Sequence, residues 1–280
     1  MSTPPSTPGS SQQGQSTSGA TAPATGLLSR TTGTGPALVL AHGFTQTGGV
    51  WGSMDEALAA GHRVTAVDMP GHGRSGGVRA SLPEGAEQLG AVGGRAAYLG
   101  YSMGARFCLH LALARPDLVD ALVLVSGTAG IDDEDERRER RRADEALADQ
   151  LDPDDPTRTP ALTVATFVRR WMENPMFAGV GPEAGGLERR LSNTGPGLAS
   201  SLRLAGTGTQ HPLWADLGGL AMPVLVVTGA GDAKFTQLGR RLVDAIGPNA
   251  RHVEIGGTGH APHLQRPEEV AAAVRAHLGT

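Results

Sequence analysis

Residues Ala121-Leu122-Val123-Leu124-Val125 are apolar at every position. A strand of that kind has no solvent face, so it belongs inside a sheet that is covered on both sides. Other runs of strand length share the texture: Ala37–Ala41, Arg63–Asp68, Arg95–Gly100 and, towards the end, Val224–Thr228 and Arg251–Ile255. Between them lie segments with helical spacing of apolar residues, Trp51–Ala60, Ala105–Ala114, Gln237–Ile246 and Glu268–Leu278. Such alternation predicts βαβ units, and hence an α/β fold whose mostly parallel sheet carries helices on both faces.

Two stretches break the rhythm. Residues 1–30 are rich in Ser, Thr, Pro, Gly and Gln. They carry too little apolar surface to offset the entropy of ordering, which predicts a disordered low-complexity tail before a single domain over 31–280. Residues 127–222 show no strand pattern. They contain a charged run, Asp132–Arg142, whose simplest reading is a solvated helix face, and an amphipathic segment, Leu162–Met176. As an insertion between two core strands, this block predicts a helical lid over the carboxyl ends of the sheet, where α/β folds place their sites.

Composition narrows the class further. The 280 residues are 39% apolar, enough for one substantial core. With five Phe, three Trp and two Tyr, that core must rest on Leu, Val and Ala. A net charge of −4 gives no basic excess and argues against a nucleic-acid partner. No run reaches the roughly 18 apolar residues of a membrane helix. The first residues have neither the basic start nor the apolar run of a secretion signal, so the expectation is a cytoplasmic protein with no membrane insertion. The one cysteine, Cys108 in Phe107-Cys108-Leu109, excludes an intrachain disulfide and reads as a buried packing residue.

The chemistry centres on Gly100-Tyr101-Ser102-Met103-Gly104. This G-x-S-x-G stands between an expected strand and an expected helix, the elbow that lifts a serine hydroxyl above the edge of a sheet. A serine is a weak nucleophile or base until a histidine takes its proton and a carboxylate fixes the imidazole tautomer. In such sheets the acid and then the histidine follow the serine along the chain. Asp232, in Gly229-Ala230-Gly231-Asp232, and His260, in Gly256-Gly257-Thr258-Gly259-His260, each follow a strand in that order. The competing His263 reads as a loop or helix-cap residue. His42-Gly43-Phe44 follows the first strand, where one backbone N–H of an oxyanion hole is expected; Phe44 and Met103 are the candidate donors. In Asp68-Met69-Pro70-Gly71-His72-Gly73-Arg74-Ser75 the glycines permit tight backbone turns, and His72 reads as structural.

The elbow, the His-Gly-Phe loop and the Asp-Met-Pro-Gly-His-Gly-Arg-Ser turn resemble the α/β-hydrolase superfamily over residues 37–280. Phe167-Val-Arg-Arg-Trp171-Met-Glu-Asn-Pro-Met-Phe177 is similar to the Trp-x-x-x-Pro-x-Phe segment of the MenH family. Arg190-Leu-Ser-Asn193, Gly197–Arg203, Gly206-Thr207-Gly208 and Asp232-Ala-Lys-Phe235 match it too. Members are 2-succinyl-6-hydroxy-2,4-cyclohexadiene-1-carboxylate synthases of menaquinone biosynthesis, which eliminate pyruvate from an enolpyruvyl precursor. The resemblance implies Ser102, Asp232 and His260 as triad, Tyr101 and Trp171 as pocket walls, and Arg106, Arg140 and Arg190 as substrate arginines. Arg140 lies in Arg137–Arg142, where the register is open by a residue or two. It also implies a small polycarboxylate as partner, which suits arginines because guanidinium groups bind carboxylates bidentately.

The stretch between Ser75 and Arg95 is short and Gly/Ala-rich, so the helix preceding the serine strand is expected to be small. A carboxylesterase or acyl-CoA thioesterase acting through an acyl-serine would carry the same three residues, so this alternative stays open. A non-catalytic binding protein on the same fold usually lacks one of them. No metal-ligand spacing, phosphate loop or dinucleotide motif is present, so no metal and no cofactor is expected.

Overall fold

The sheet has seven strands: β1 (Ser29–Thr32), β2 (Ala37–Ala41), β3 (Arg63–Val67), β4 (Ala96–Tyr101), β5 (Val119–Val125), β6 (Val224–Gly229) and β7 (Ala250–Ile255). The computed structural model describes residues 1, 26–152, 159–181 and 183–280. Strand order is β1-β3-β2-β4-β5-β6-β7. All neighbours run parallel except β1, which pairs antiparallel with β3 at one edge.

Both faces are apolar, and the pleat sorts side chains between them. On β5, Leu122 and Leu124 join one core while Ala121, Val123 and Val125 join the other; on β2, Val39 and Ala41 oppose Leu38 and Leu40. Helices α1 (Gly52–Ala59) and α10 (Pro267–Leu278) cover the second face. Helices α2 (Leu82–Gly93), α3 (Met103–Ala114) and α8 (Ala233–Ile246) cover the first. All six expected strands and all four expected helices are present within a few residues of their expected ends.

The chain runs from β2 outward to β3, then crosses back beyond β2 to β4, so the direction of winding reverses between β2 and β4. Ligands of such sheets bind where neighbouring loops part in this way, at the carboxyl ends of the strands. The loops leaving those two strands carry Phe44 and Ser102.

Two expectations are corrected. The expected tail of residues 1–30 ends earlier: Leu27 is buried and Ser29–Thr32 forms β1. Its four residues are all polar and show no strand pattern alone; backbone pairing along β3 holds them. The part of that expectation on residues 2–25 lies outside the described residues. Nor is the helix before the serine strand small. Helix α2 spans three turns, begun by a capping box in which Ser81 and Glu84 satisfy each other's backbone N–H, with Pro83 in its first turn.

Between β5 and β6 the described residues form α4 (Glu134–Leu151), α5 (Val164–Met172), α6 (Leu187–Arg190) and α7 (Gly195–Ala205). They share a small core of Ala148, Leu151, Phe167, Val168, Leu198, Ala199 and Leu202. Phe44 packs against both this cluster and the sheet core, its ring 5.0 Å from Trp171 and 6.2 Å from Phe167. A last short helix, α9 (Pro262–Gln265), precedes α10.

Candidate active site

Ser102 caps α3 with φ at 51° and ψ at −105°, in the left-handed region that side chains other than glycine rarely occupy. Its N–H donates to Val125 O at 2.9 Å, tying the turn to β5. The turn closes only because Gly104 has no side chain: a Cβ there would collide with the carbonyl oxygen of Ala41 on β2. Strand, turn and helix thus set the hydroxyl's position.

Ser102 Oγ–H donates to His260 Nε2 at 3.1 Å, and His260 Nδ1–H donates to Asp232 Oδ2 at 3.0 Å. The imidazole is buried, with Phe235 packed 4.2 Å from it and Tyr101 5.5 Å away. Asp232 also caps α8, taking the Phe235 N–H on its other oxygen at 3.2 Å. Burial works against its charged form. The hydrogen bonds from His260 and Phe235 outweigh that and hold the carboxyl below its ordinary range. The arrangement can move a proton from the serine to the imidazole and stabilise the resulting cation.

The loop after β2 is fastened on several sides. His42 Nδ1–H donates to Gly43 O at 2.8 Å and its Nε2 accepts the Met69 N–H at 3.0 Å. His72 Nδ1–H donates to Pro70 O and its Nε2 accepts the Thr45 N–H at 3.2 Å. Burial pulls both pKa values down, to about 4 for His42 and about 3 for His72. Asn193 joins the Thr45 carbonyl to the Gly73 N–H, and Gln46 Oε1 accepts the Gly43 N–H. The Phe44 and Met103 amides donate to no other group among the described residues, and both residues line the cavity above Ser102. His72 is thus structural. His263 is buried between Tyr101 and Trp51, ring centroids 4.1 and 5.2 Å away, and burial pulls its pKa down to about 3.

That cavity has a volume of about 810 Å³ and is roofed by the insertion. Ser102 and His260 lie on its floor; Trp171, Arg106 and Arg140 are in its wall. Arg106 is buried one turn beyond the serine, with Nη1 donating to Ala205 O at 2.7 Å. Its pKa is pulled down to about 10, first by burial and then by the charge of Arg140, with Asp144 opposing. Arg140 donates through Nε to Asp144 at 2.9 Å. The cavity is not uniformly basic. Lys234 and Arg241 join the two arginines, but Asp132, Asp133, Glu136 and Asp144 also line it, and Arg241 pairs with Asp132.

Two expected pocket residues lie elsewhere. Arg190, almost fully buried, donates to Gly185 O, Phe44 O and Thr45 Oγ1 behind the loop rather than into the cavity. Tyr101 follows the pleat of β4 to the opposite face of the sheet, where its ring packs beside His263. Ser126, Asp144, Met176 and Thr207 line the cavity without having been singled out from sequence. Ser126 offered a signal by standing at the end of a core strand, and Met176 and Thr207 by lying in segments that match the family; Asp144 offered none.

Over residues 38–273 the chain matches the model of the alpha/beta hydrolase family, and it belongs to that family. Within it the chain is MenH-like. It is 32% identical over 245 residues to a Bacillus subtilis protein provisionally named 2-succinyl-6-hydroxy-2,4-cyclohexadiene-1-carboxylate synthase, covering 82% of this chain and 86% of that one. MenH from S. aureus superposes with a TM-score of 0.81 at 27% identity, over 91% of this chain and 98% of that one. A pimeloyl-[acyl-carrier protein] methyl ester esterase of Xanthomonas campestris is also 32% identical, over 86% of this chain and 94% of its own.

Proposed function

We propose that this enzyme is a MenH-like lyase that eliminates pyruvate from 2-succinyl-5-enolpyruvyl-6-hydroxy-3-cyclohexene-1-carboxylate. The observation that carries the reading is Arg106. A guanidinium buried one helical turn from Ser102, with one carbonyl as its hydrogen-bonded partner among the described residues, is suited to a ligand carboxylate that enters the cavity. The proposed substrate has three carboxylates; a simple neutral ester has none.

In this reading His260 takes the Ser102 proton, held in the correct tautomer by Asp232, and the serine oxygen removes a ring proton. That proton leaves C2, beside the succinyl carbonyl; its electron pair forms the C2–C3 double bond, the existing C3–C4 double bond shifts to C4–C5, and the C5–O bond to the enolpyruvyl group breaks. The departing enolate takes up a proton to give pyruvate. Phe44 and Met103 amides stabilise the negative charge that develops on the succinyl carbonyl. Serine acts as a base, and no acyl-enzyme forms.

A second reading is ester or thioester hydrolysis through an acyl-Ser102. The equal identity to the Xanthomonas methyl esterase favours it specifically. The deciding experiment assays the purified protein for pyruvate release from the enolpyruvyl precursor beside hydrolysis of p-nitrophenyl acetate. Pyruvate release that Ser102→Ala abolishes supports the lyase. Ester hydrolysis with no pyruvate overturns it.

A further inference from the structure

Asp144 has no part in the proton chain, yet it is one of the few carboxylates buried in the wall of the cavity. It lies on α4, one turn beyond Arg140, whose Nε–H donates to Asp144 Oδ1 at 2.9 Å. Its second oxygen, Oδ2, is buried and has no hydrogen-bond partner among the described residues. Buried carboxylate oxygens are ordinarily saturated with donors, so an orphan of this kind calls for one. Position 206 keeps it in place: a Cβ on Gly206 would stand 2.6 Å from Oδ2, so a side chain there would push the carboxylate aside. Gly206 and Thr207 belong to the same stretch of cavity wall.

Asp144 thus shares that wall with two guanidinium groups. Arg106 lies on α3 beneath it and Arg140 beside it, and both feel its charge. A ligand group with acceptors only would suit the arginines but repel the carboxylate. A group offering an acidic oxygen pair and, on a neighbouring carbon, an O–H would satisfy all three.

We propose that Asp144 is a specificity-determining residue that accepts the hydrogen of a ligand hydroxyl while Arg106 and Arg140 hold an adjacent carboxylate. The inference deepens the reading above, whose proposed substrate carries a ring hydroxyl next to a ring carboxylate. It makes hydroxy acids the preferred ligand class.

The probes are malate and succinate, which differ by one hydroxyl and contain both spacings of hydroxyl to carboxylate. Affinities are measured by calorimetry on the full chain, without turnover. The expected result is malate binding about tenfold tighter than succinate. In Asp144→Ala the ratio falls to about one, because the acceptor is gone. A residue that merely neutralises and positions the arginines would change both affinities alike and leave the ratio intact, which overturns the proposal. Equal affinities in the wild type, or no binding of either acid, overturn it too. Should Asp144→Ala fail to fold, Asp144→Leu decides: it keeps the bulk but offers the hydroxyl no acceptor, and the ratio falls below about threefold. The two readings fail separately. Malate preference without pyruvate release sinks the lyase alone, and pyruvate release without hydroxyl preference sinks this inference alone.

Discussion

The two sides of the cavity are built by different means. Below, Ser102, Asp232 and His260 each stand in the first turn after a parallel strand, and backbone geometry carries them to one place. Above, Arg140, Asp144 and Trp171 project from helices of the insertion, and their positions depend on side-chain reach and on a small core of seven buried residues. The sheet side therefore presents the proton chain. In the proposed reading the insertion side, together with Arg106 of α3, presents the contacts that choose a ligand. Turnover should fail with the first and specificity with the second.

The largest effect expected is on the sheet side. Ser102→Ala should lower pyruvate release by a factor on the order of 10³ or more, with circular dichroism and melting temperature unchanged. Near-wild-type turnover would remove the serine from the chemistry and with it the contrast between the sides.

Acid should also strike the sheet side. His42, His72 and His263 titrate near 6.5 when unfolded, but at about 4, 3 and 3 when folded. The folded state then binds fewer protons across pH 4 to 6.5, so stability rises with pH in that window and is lost as pH falls through it. Each group contributes up to about 1.4 kcal/mol per pH unit, and the three together about 4. His42 and His72 each use Nε2 as an acceptor for a backbone N–H, a role that protonation ends. Chemical denaturation at pH 7, 6 and 5 measures the slope; a flat profile would show that these rings charge without cost.

Arg106→Ala tests which side selects the ligand. The loss of a charge-assisted contact of roughly 1.5–3 kcal/mol should lower kcat/KM for the polycarboxylate by about 10- to 150-fold. Hydrolysis of p-nitrophenyl acetate should stay within about twofold. Equal losses on both substrates would mean that Arg106 supports the fold instead.

Arg190→Ala should show the opposite signature and a smaller effect. Because Arg190 braces the Phe44–Thr45 loop from behind, its loss should lower kcat by about tenfold for acid and ester alike, with KM little changed. A loss confined to the polycarboxylate would return Arg190 to the ligand site that the family resemblance assigned to it.

Legibility from sequence followed the same division. The G-x-S-x-G elbow, the acid and the histidine could be placed because each residue's location is dictated by the strand before it, and strands buried on both faces announce themselves by composition. Arg190 and Tyr101 were sent to the wrong wall for one shared reason. Their chain positions border the site, but the direction of the side chain is decided by pleat and packing, which a motif does not contain. Asp144 lies two residues beyond the charged run Asp132–Arg142, in a stretch that no motif covers. Helix α2 was underrated because its glycines and alanines outweighed Ser81 and Glu84, although those two residues spell its beginning. Strand β1 has no apolar residue to declare it and depends on its partner.

The contact between Gly104 and the Ala41 carbonyl has a consequence for heredity. Every substitution at position 104 adds atoms, and the first atom added is already in the space of a neighbouring strand's backbone. The position is thus closed to gradual change: no smaller residue exists as a stepping stone, and a single-base exchange from a glycine codon to an alanine codon meets the whole barrier at once. The spacing between the oxyanion loop and the serine is passed on as a fixed dimension.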